Sequence, residues 1–276
     1  MMSYKTILVH LDGDARNAET LQLACNLAGR FQAHLAAVYA LEQPLFAAAM
    51  DPGAAAALTF QVELDLQMQA KAQAMVKAAE QRSGLTIEWR AVSGNAVNNV
   101  ILHARHADLL VMTQEDRAQK LGIDPSFGAS VVVGAGRPVL MVPYAGEFKS
   151  CGASVLIAWS GTRESARAVA DALPLMKKAR EINIVSFNPK GDSGWGDIPG
   201  ADIGLWLTRH GVRVNVRQQK SDDVDVGNQI LSLASDLSSD LIVMGAYGHS
   251  RTFQFVLGGV TRTLFESMTV PVLMSH

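Results

Sequence analysis

The residues whose types and spacing could do chemistry lie near the end of the chain. Gly245-Ala-Tyr-Gly248 is followed, after nine residues, by Gly258-Gly259-Val260-Thr261. Glycine lets a main chain approach a ligand closely and adopt positive φ. The segment leaves an apolar run ending in Met244 and closes on a helix-like pattern. Backbone N–H groups at a helix start face outward with partial positive charge, a ready anion site. His249, Ser250 and Arg251 lie inside the segment and could add donors to a polyphosphate. Glycines that merely permit tight turns are the other reading, and the residue types alone leave both open.

Other chemistries lack their residues. The chain has no Gly-x4-Gly-Lys-Ser/Thr, and no Gly-x-Gly-x-x-Gly between a first strand and helix, so kinase and dehydrogenase readings fail. His103 and His106 stand three apart on a helical pattern but lack further ligands at suitable spacing. Partly exposed helix histidines are the better reading. Cys25 and Cys151 are far apart without metal spacing, and Cys25 reads as a packed thiol in a reducing, cytoplasmic protein. No evident base stands ready to activate water and no acidic Mg²⁺ pair is visible, so the chain reads as a non-enzyme. Formal net charge is −2 without a block of like charges, so neither nucleic acid nor an anionic membrane is an expected partner. The start of the chain lacks signal-peptide features. Asp51-Pro52-Gly53 splits the apolar stretch Phe46–Phe60 well short of a membrane span.

The elements that must position the glycine segment follow from a repeat. Thr6-Ile-Leu-Val-His-Leu-Asp-Gly13 pairs with Ser154-Val-Leu-Ile-Ala-Trp-Ser-Gly161, Asp108-Leu-Leu-Val-Met112 with Asp240-Leu-Ile-Val-Met244, and Arg137-Pro-Val-Leu-Met141 with Val270-Pro-Val-Leu-Met274. The last two pairs are offset by 132 and 133 residues and the first by 148, which places an insertion in the first copy at Glu42–Leu58. The 276 residues therefore divide into domains at 1–146 and 151–276, with Tyr144–Cys151 as a short linker.

Each copy alternates short β-branched runs with helical patterns, the mark of parallel βαβ units. Strands are expected at Lys5–Leu11, His34–Tyr39, Thr86–Val92, Asp108–Thr113 and Pro138–Val142, then at Ser154–Trp159, Glu181–Phe187, Val212–Gln218, Asp240–Met244 and Pro271–Met274. Helices are expected near Ala15–Phe31, Leu58–Arg82, Ala96–His106 and Phe127–Gly134, then Thr162–Ala179, Gly200–His210, Val226–Leu237 and Gly259–Ser267. The fold class is α/β, two tandem doubly wound five-stranded parallel sheets. Ligands of such sheets sit beyond the carboxyl ends of the strands. The Leu58–Arg82 helix, with Met68, Met75 and Val76, is expected to pack rather than to bind a partner.

On these motifs the sequence resembles the universal stress protein family over almost its whole length. Gly245-x2-Gly248-x9-Gly258 resembles that family's ATP-binding pattern, Gly-x2-Gly-x9-Gly-(Ser/Thr), and Ile7–Gly13 and Val270–Met274 resemble its first strand and last strand. The resemblance implies an adenine-nucleotide alpha-hydrolase-like fold. It implies an adenosine bordered by Ala158, Trp159 and Ser160, with Phe187 flanking the base. Met244 and Gly245 would sit by ribose and base, and Gly248, Gly258, Gly259, Val260 and Thr261 would hold the phosphates. It also implies pairing of last strands, Pro138–Val142 with Pro271–Met274, antiparallel in an internal pseudo-dimer, with a homodimer as a further level.

Two residues depart from the pattern. Position 259 is glycine where the family has Ser or Thr, and position 160 is serine where nucleotide-binding members often have aspartate. The first copy departs the other way: Asp12 is present, but Thr113-Gln-Glu-Asp-Arg117 replaces the glycine loop, and Gly122 and Gly128 lack its spacing. Asp12 is expected to cap a helix or serve a turn, and the first copy to be structural or regulatory. The expected protein is a stress-response sensor or adaptor binding ATP or another adenine nucleotide, with or without Mg²⁺, in its second copy. An unknown protein partner, a ligand-free interaction module and slow ATP hydrolysis in the second copy are the other expectations.

Overall fold

The computed structural model describes residues 3–42, 52–115, 127–187, 200–219, 225–247 and 259–276. Packing separates two units, Tyr4–Thr113 and Gln114–His276. The first runs β1 (Thr6–Leu11), α1 (Asn17–Phe31), β2 (His34–Glu42), α2 (Pro52–Ser83), β3 (Ile87–Gly94), α3 (Ala96–Ala104) and β4 (Leu109–Thr113). Its strands are ordered β3-β2-β1-β4 and all pair parallel. Ile7, Leu8 and Val9 are buried, as a strand covered on both faces requires. Leu21, Ala24, Ala28 and Phe31 form the buried stripe of α1.

The second unit runs α4 (Phe127–Gly134), β5 (Val139–Val142), β6 (Ser154–Ala158), α5 (Arg163–Met176), β7 (Glu181–Phe187), α6 (Ala201–Arg209), β8 (Asn215–Gln219), α7 (Val226–Asp236), β9 (Leu241–Gly245), α8 (Gly259–Ser267) and β10 (Val272–Ser275). Its strand order is β5-β10-β9-β6-β7-β8. The expected pairing of last strands is present: β5 and β10 run antiparallel, with Leu273 opposite Leu140. That pairing explains why packing groups α4 and β5, the end of the first sequence repeat, with the second.

The expected insertion is partly helix. Helix α2 starts at Pro52, a residue that suits a first turn, while 43–51 lie outside the described residues. The later part of α2 packs through Ala72, Val76 and Ala79, whereas Phe60, Val62, Leu64 and Leu66 are exposed. Among the described residues no helix is long and apolar enough to cross a membrane.

The two Asp residues that open the matched motifs do the same work. The Asp108 carboxylate accepts the N–H groups of Lys5 (2.7 Å) and Thr6 (3.0 Å). The Asp240 carboxylate accepts those of Gly152 (3.0 Å), Ala153 (3.0 Å) and Ser154 (2.9 Å). Each pins the start of a first strand to the start of the strand beside it. Asp240→Ala leaves three donors without that acceptor and should cost about 2–3 kcal/mol. Thermal unfolding should show a fall of several degrees in Tm.

Candidate functional site

Strands β6 and β9 are neighbours, and their register sets Ala158 beside Met244. Trp159 extends the sheet by donating its N–H to Val185 O at 2.8 Å, and its side chain is half-buried. Ser160 is exposed and its hydroxyl lies 3.2 Å from that of Thr162. Gly161, at φ +66°, turns the chain into α5, and Thr162 caps that helix by accepting the Ser165 N–H at 3.3 Å. Phe187 ends β7 and is half-buried. Thus Ala158, Met244 and Gly245 are brought together by register, and Trp159, Ser160 and Phe187 prolong the adjoining strand ends.

Gly245 approaches protein closely. A Cβ there would overlap Ser165 N and stand 2.6 Å from Glu164 C and 2.9 Å from Glu164 Cβ. The glycine is required by the first turn of α5, a reason that the spacing of the motif could not reveal. Glu164 is itself buried, and burial pushes its carboxyl upward. Hydrogen bonds from Arg163, its own N–H and Thr162 outweigh that and hold it below the usual range. Its carboxylate, paired with Arg163, therefore stands in the turn that packs on Gly245.

Gly259, Val260 and Thr261 form the first turn of α8, with Thr261 buried. Helix α8 crosses α7 tightly, since a Cβ on Gly227 would stand 2.6 Å from Thr263 Cβ. At that crossing lies Asp225, which sequence reasoning missed. Its Oδ2 caps α7 by accepting the Asn228 N–H (3.2 Å) and also accepts the Thr263 hydroxyl (2.8 Å). Its Oδ1 lies 3.9 Å from where a Cβ on Gly259 would be. The signal available was Asp-x-Gly at a helix start, where the first copy has the cap Asn95. Gly248, Gly258, His249, Ser250 and Arg251 lie outside the described residues.

Tyr247 was also missed. It holds φ +65°, rare for a residue with a side chain, and its ring meets His276 edge-on at 6.3 Å. Its hydroxyl is buried without a hydrogen-bond partner among the described residues, and burial pushes its pKa well up.

In the first copy the matching turn is packed by the chain's own atoms. Asp12 serves a turn, its Oδ1 accepting the Asp14 N–H at 3.0 Å, and α1 has no side-chain cap. Gly13 has φ +84°, and a Cβ on it would stand 2.5 Å from Met68 O, so α2 lies directly on this turn. Nearby, Tyr39 donates to Asp65 O at 3.2 Å and is pushed up to about 12 by burial and then by Asp65 and Asp12.

Past β4, Gln114 donates its N–H to Val142 O (2.7 Å), as Ala246 does to Ser275 O (2.9 Å). Its side-chain amide is spent on Phe265 O (2.7 Å) and the Tyr144 N–H (3.1 Å). Glu115 accepts the Gly128 N–H at 3.2 Å, so a carboxylate of the chain occupies the start of α4. Gly128 also lets α4 close on α8, since a Cβ there would stand 3.1 Å from Phe265 Cε1. Asp116, Arg117 and Gly122 lie outside the described residues.

His103 lies 3.2 Å from Arg90 through Nδ1. Burial, then Arg90 and His106, push its pKa down. Among the described residues no group of three or more side chains could hold a metal.

The sequence matches the universal stress protein family over residues 3–143 and again over 154–276. The chain belongs to that family. A universal stress protein structure from Archaeoglobus fulgidus is similar over 98% of this chain and 95% of its own, at 17% identity and a TM-score of 0.74. A functionally unknown protein from Pseudomonas aeruginosa is similar over 99% and 92%, at 14% identity and a TM-score of 0.58. A universal stress protein solved in complex with cAMP covers 52% of this chain at 23% identity, with 100% of its own length and a TM-score of 0.36. No curated protein matches the chain.

In this universal stress protein the two informative glycines separate on substitution. Gly245→Ala should destabilise by about 1–3 kcal/mol through overlap with α5. Gly259→Ser meets no such overlap among the described residues and should stay within about 0.5 kcal/mol of the original. Urea unfolding of both variants checks the contrast.

Proposed function

We propose that the second copy binds an adenine nucleotide and that the protein works as a non-catalytic, cytoplasmic sensor or adaptor in a stress response. The reading rests above all on the contrast between two helix starts. At α4 the chain's own Glu115 takes a backbone N–H. At α8 no carboxylate of the described residues accepts a backbone N–H, and Asp225 Oδ1 lies 3.9 Å from the position of a Gly259 Cβ. Backbone donors at such a start favour phosphate. Ala158, Trp159, Ser160, Phe187, Met244 and Gly245 would border the nucleoside, and Gly259, Val260 and Thr261, together with Gly248 and Gly258, would hold phosphate, with or without Mg²⁺. Cys25 and Cys151, buried and not joined in a disulfide, fit a reducing compartment.

A second reading, a protein-interaction module, is favoured by the exposed Phe60, Val62, Leu64 and Leu66 of α2. A protein partner and a homodimer belong to that reading and are compatible with the first.

Calorimetry of the full-length protein with AMP and ATP tests the reading. The expected stoichiometry is one nucleotide per chain. Gly259→Ser restores a hydroxyl donor and should tighten binding about ten- to a hundredfold. Absence of binding by both nucleotides, or two equal sites per chain, would overturn the proposal.

A further inference from the structure

We propose that Asp225 makes the second-copy site selective for an adenine nucleotide of low phosphate charge, a nucleoside monophosphate, over the free triphosphate. This rests on the nucleotide reading above and adds a discriminating residue to it. The partial positive charge at the start of α8 is that of one helix end, about half an elementary charge. Asp225 places a full negative charge against it, its Oδ1 3.9 Å from the Gly259 Cβ position. The carboxylate is held there on two sides, by the Asn228 N–H and by the Thr263 hydroxyl, which also reaches Gly259 O at 3.1 Å. It cannot swing away without uncapping α7.

The described cations nearby are already engaged. Arg262, in the first turns of α8, donates to Glu266 at 2.9 Å, and Arg163, at the start of α5, donates to the buried Glu164. Gly259 also lacks the hydroxyl that would serve a further phosphate oxygen. One phosphate can be met by the helix start, whereas each added charge meets Asp225. At about 6 Å, with screening between that of water and that of a protein surface, one extra charge weakens binding roughly three- to a hundredfold.

The test is calorimetry of the full-length protein with AMP and with ATP, at low ionic strength and with EDTA present. ATP carries two charges more than AMP, so AMP should bind at least about tenfold more tightly. Asp225→Asn removes the charge and keeps a capping oxygen, so it should raise ATP affinity more than AMP affinity and close most of that gap. Asp225→Ser, also a competent cap, should do the same and guards against a fold defect in the first variant. Added salt should shrink the discrimination in the original protein. ATP binding as tightly as AMP to the original protein overturns the inference while leaving the nucleotide reading intact. An unchanged AMP-to-ATP ratio in both variants does so as well. If neither nucleotide binds, both fall together.

Discussion

Strand β10 is hydrogen-bonded along both edges, parallel to β9 and antiparallel to β5. A sheet edge left open there would present unpaired main-chain groups, and its closure decides much of what surrounds it. Because β5 lies beside β10, α4 can pack on Phe265 of α8 through Gly128. Gln114 can reach the carbonyl of Phe265 and the N–H of Tyr144. Glu115 can turn back onto the start of α4. Gln114 and Glu115, which follow β4, thus hold the last helix of the chain, the residue after β5 and the start of α4.

Helix starts in this protein tend to receive a carboxylate from the chain: Glu115 at α4, Glu164 in the first turn of α5, Asp225 at α7. Each such placement stabilises the fold by complementing a helix dipole. The same placement opposes an anionic ligand, so stability and phosphate binding compete for one kind of position. Asp225 sits where the two demands meet, capping α7 while facing the start of α8.

The architecture was legible because periodicity and caps are local. The described strands and helices fall within a few residues of those read from apolar patterning, whereas the β5–β10 pairing was expected only from the family resemblance. Contacts between distant segments were not legible. The spacing of Gly245 looked like a ligand motif, yet what demands a glycine there is Ser165 and Glu164, some eighty residues earlier. Asp12 kept the residue type of a nucleoside partner, but α2 lies on its turn through Met68, and nothing in the local sequence of Gly13 announces that. The start of α2 inside the expected insertion was hidden by Asp51-Pro52-Gly53, which reads as a break and instead supplies a first-turn proline.

Asp108 and Asp240 grip the opening ends of the first strands in the two copies, at the rim opposite the one where the loops differ. Within each copy the anchorage lies at the opening ends of the strands, away from the loops at their closing ends. A duplicated domain built this way can change the loops at one end of its strands without loosening the other.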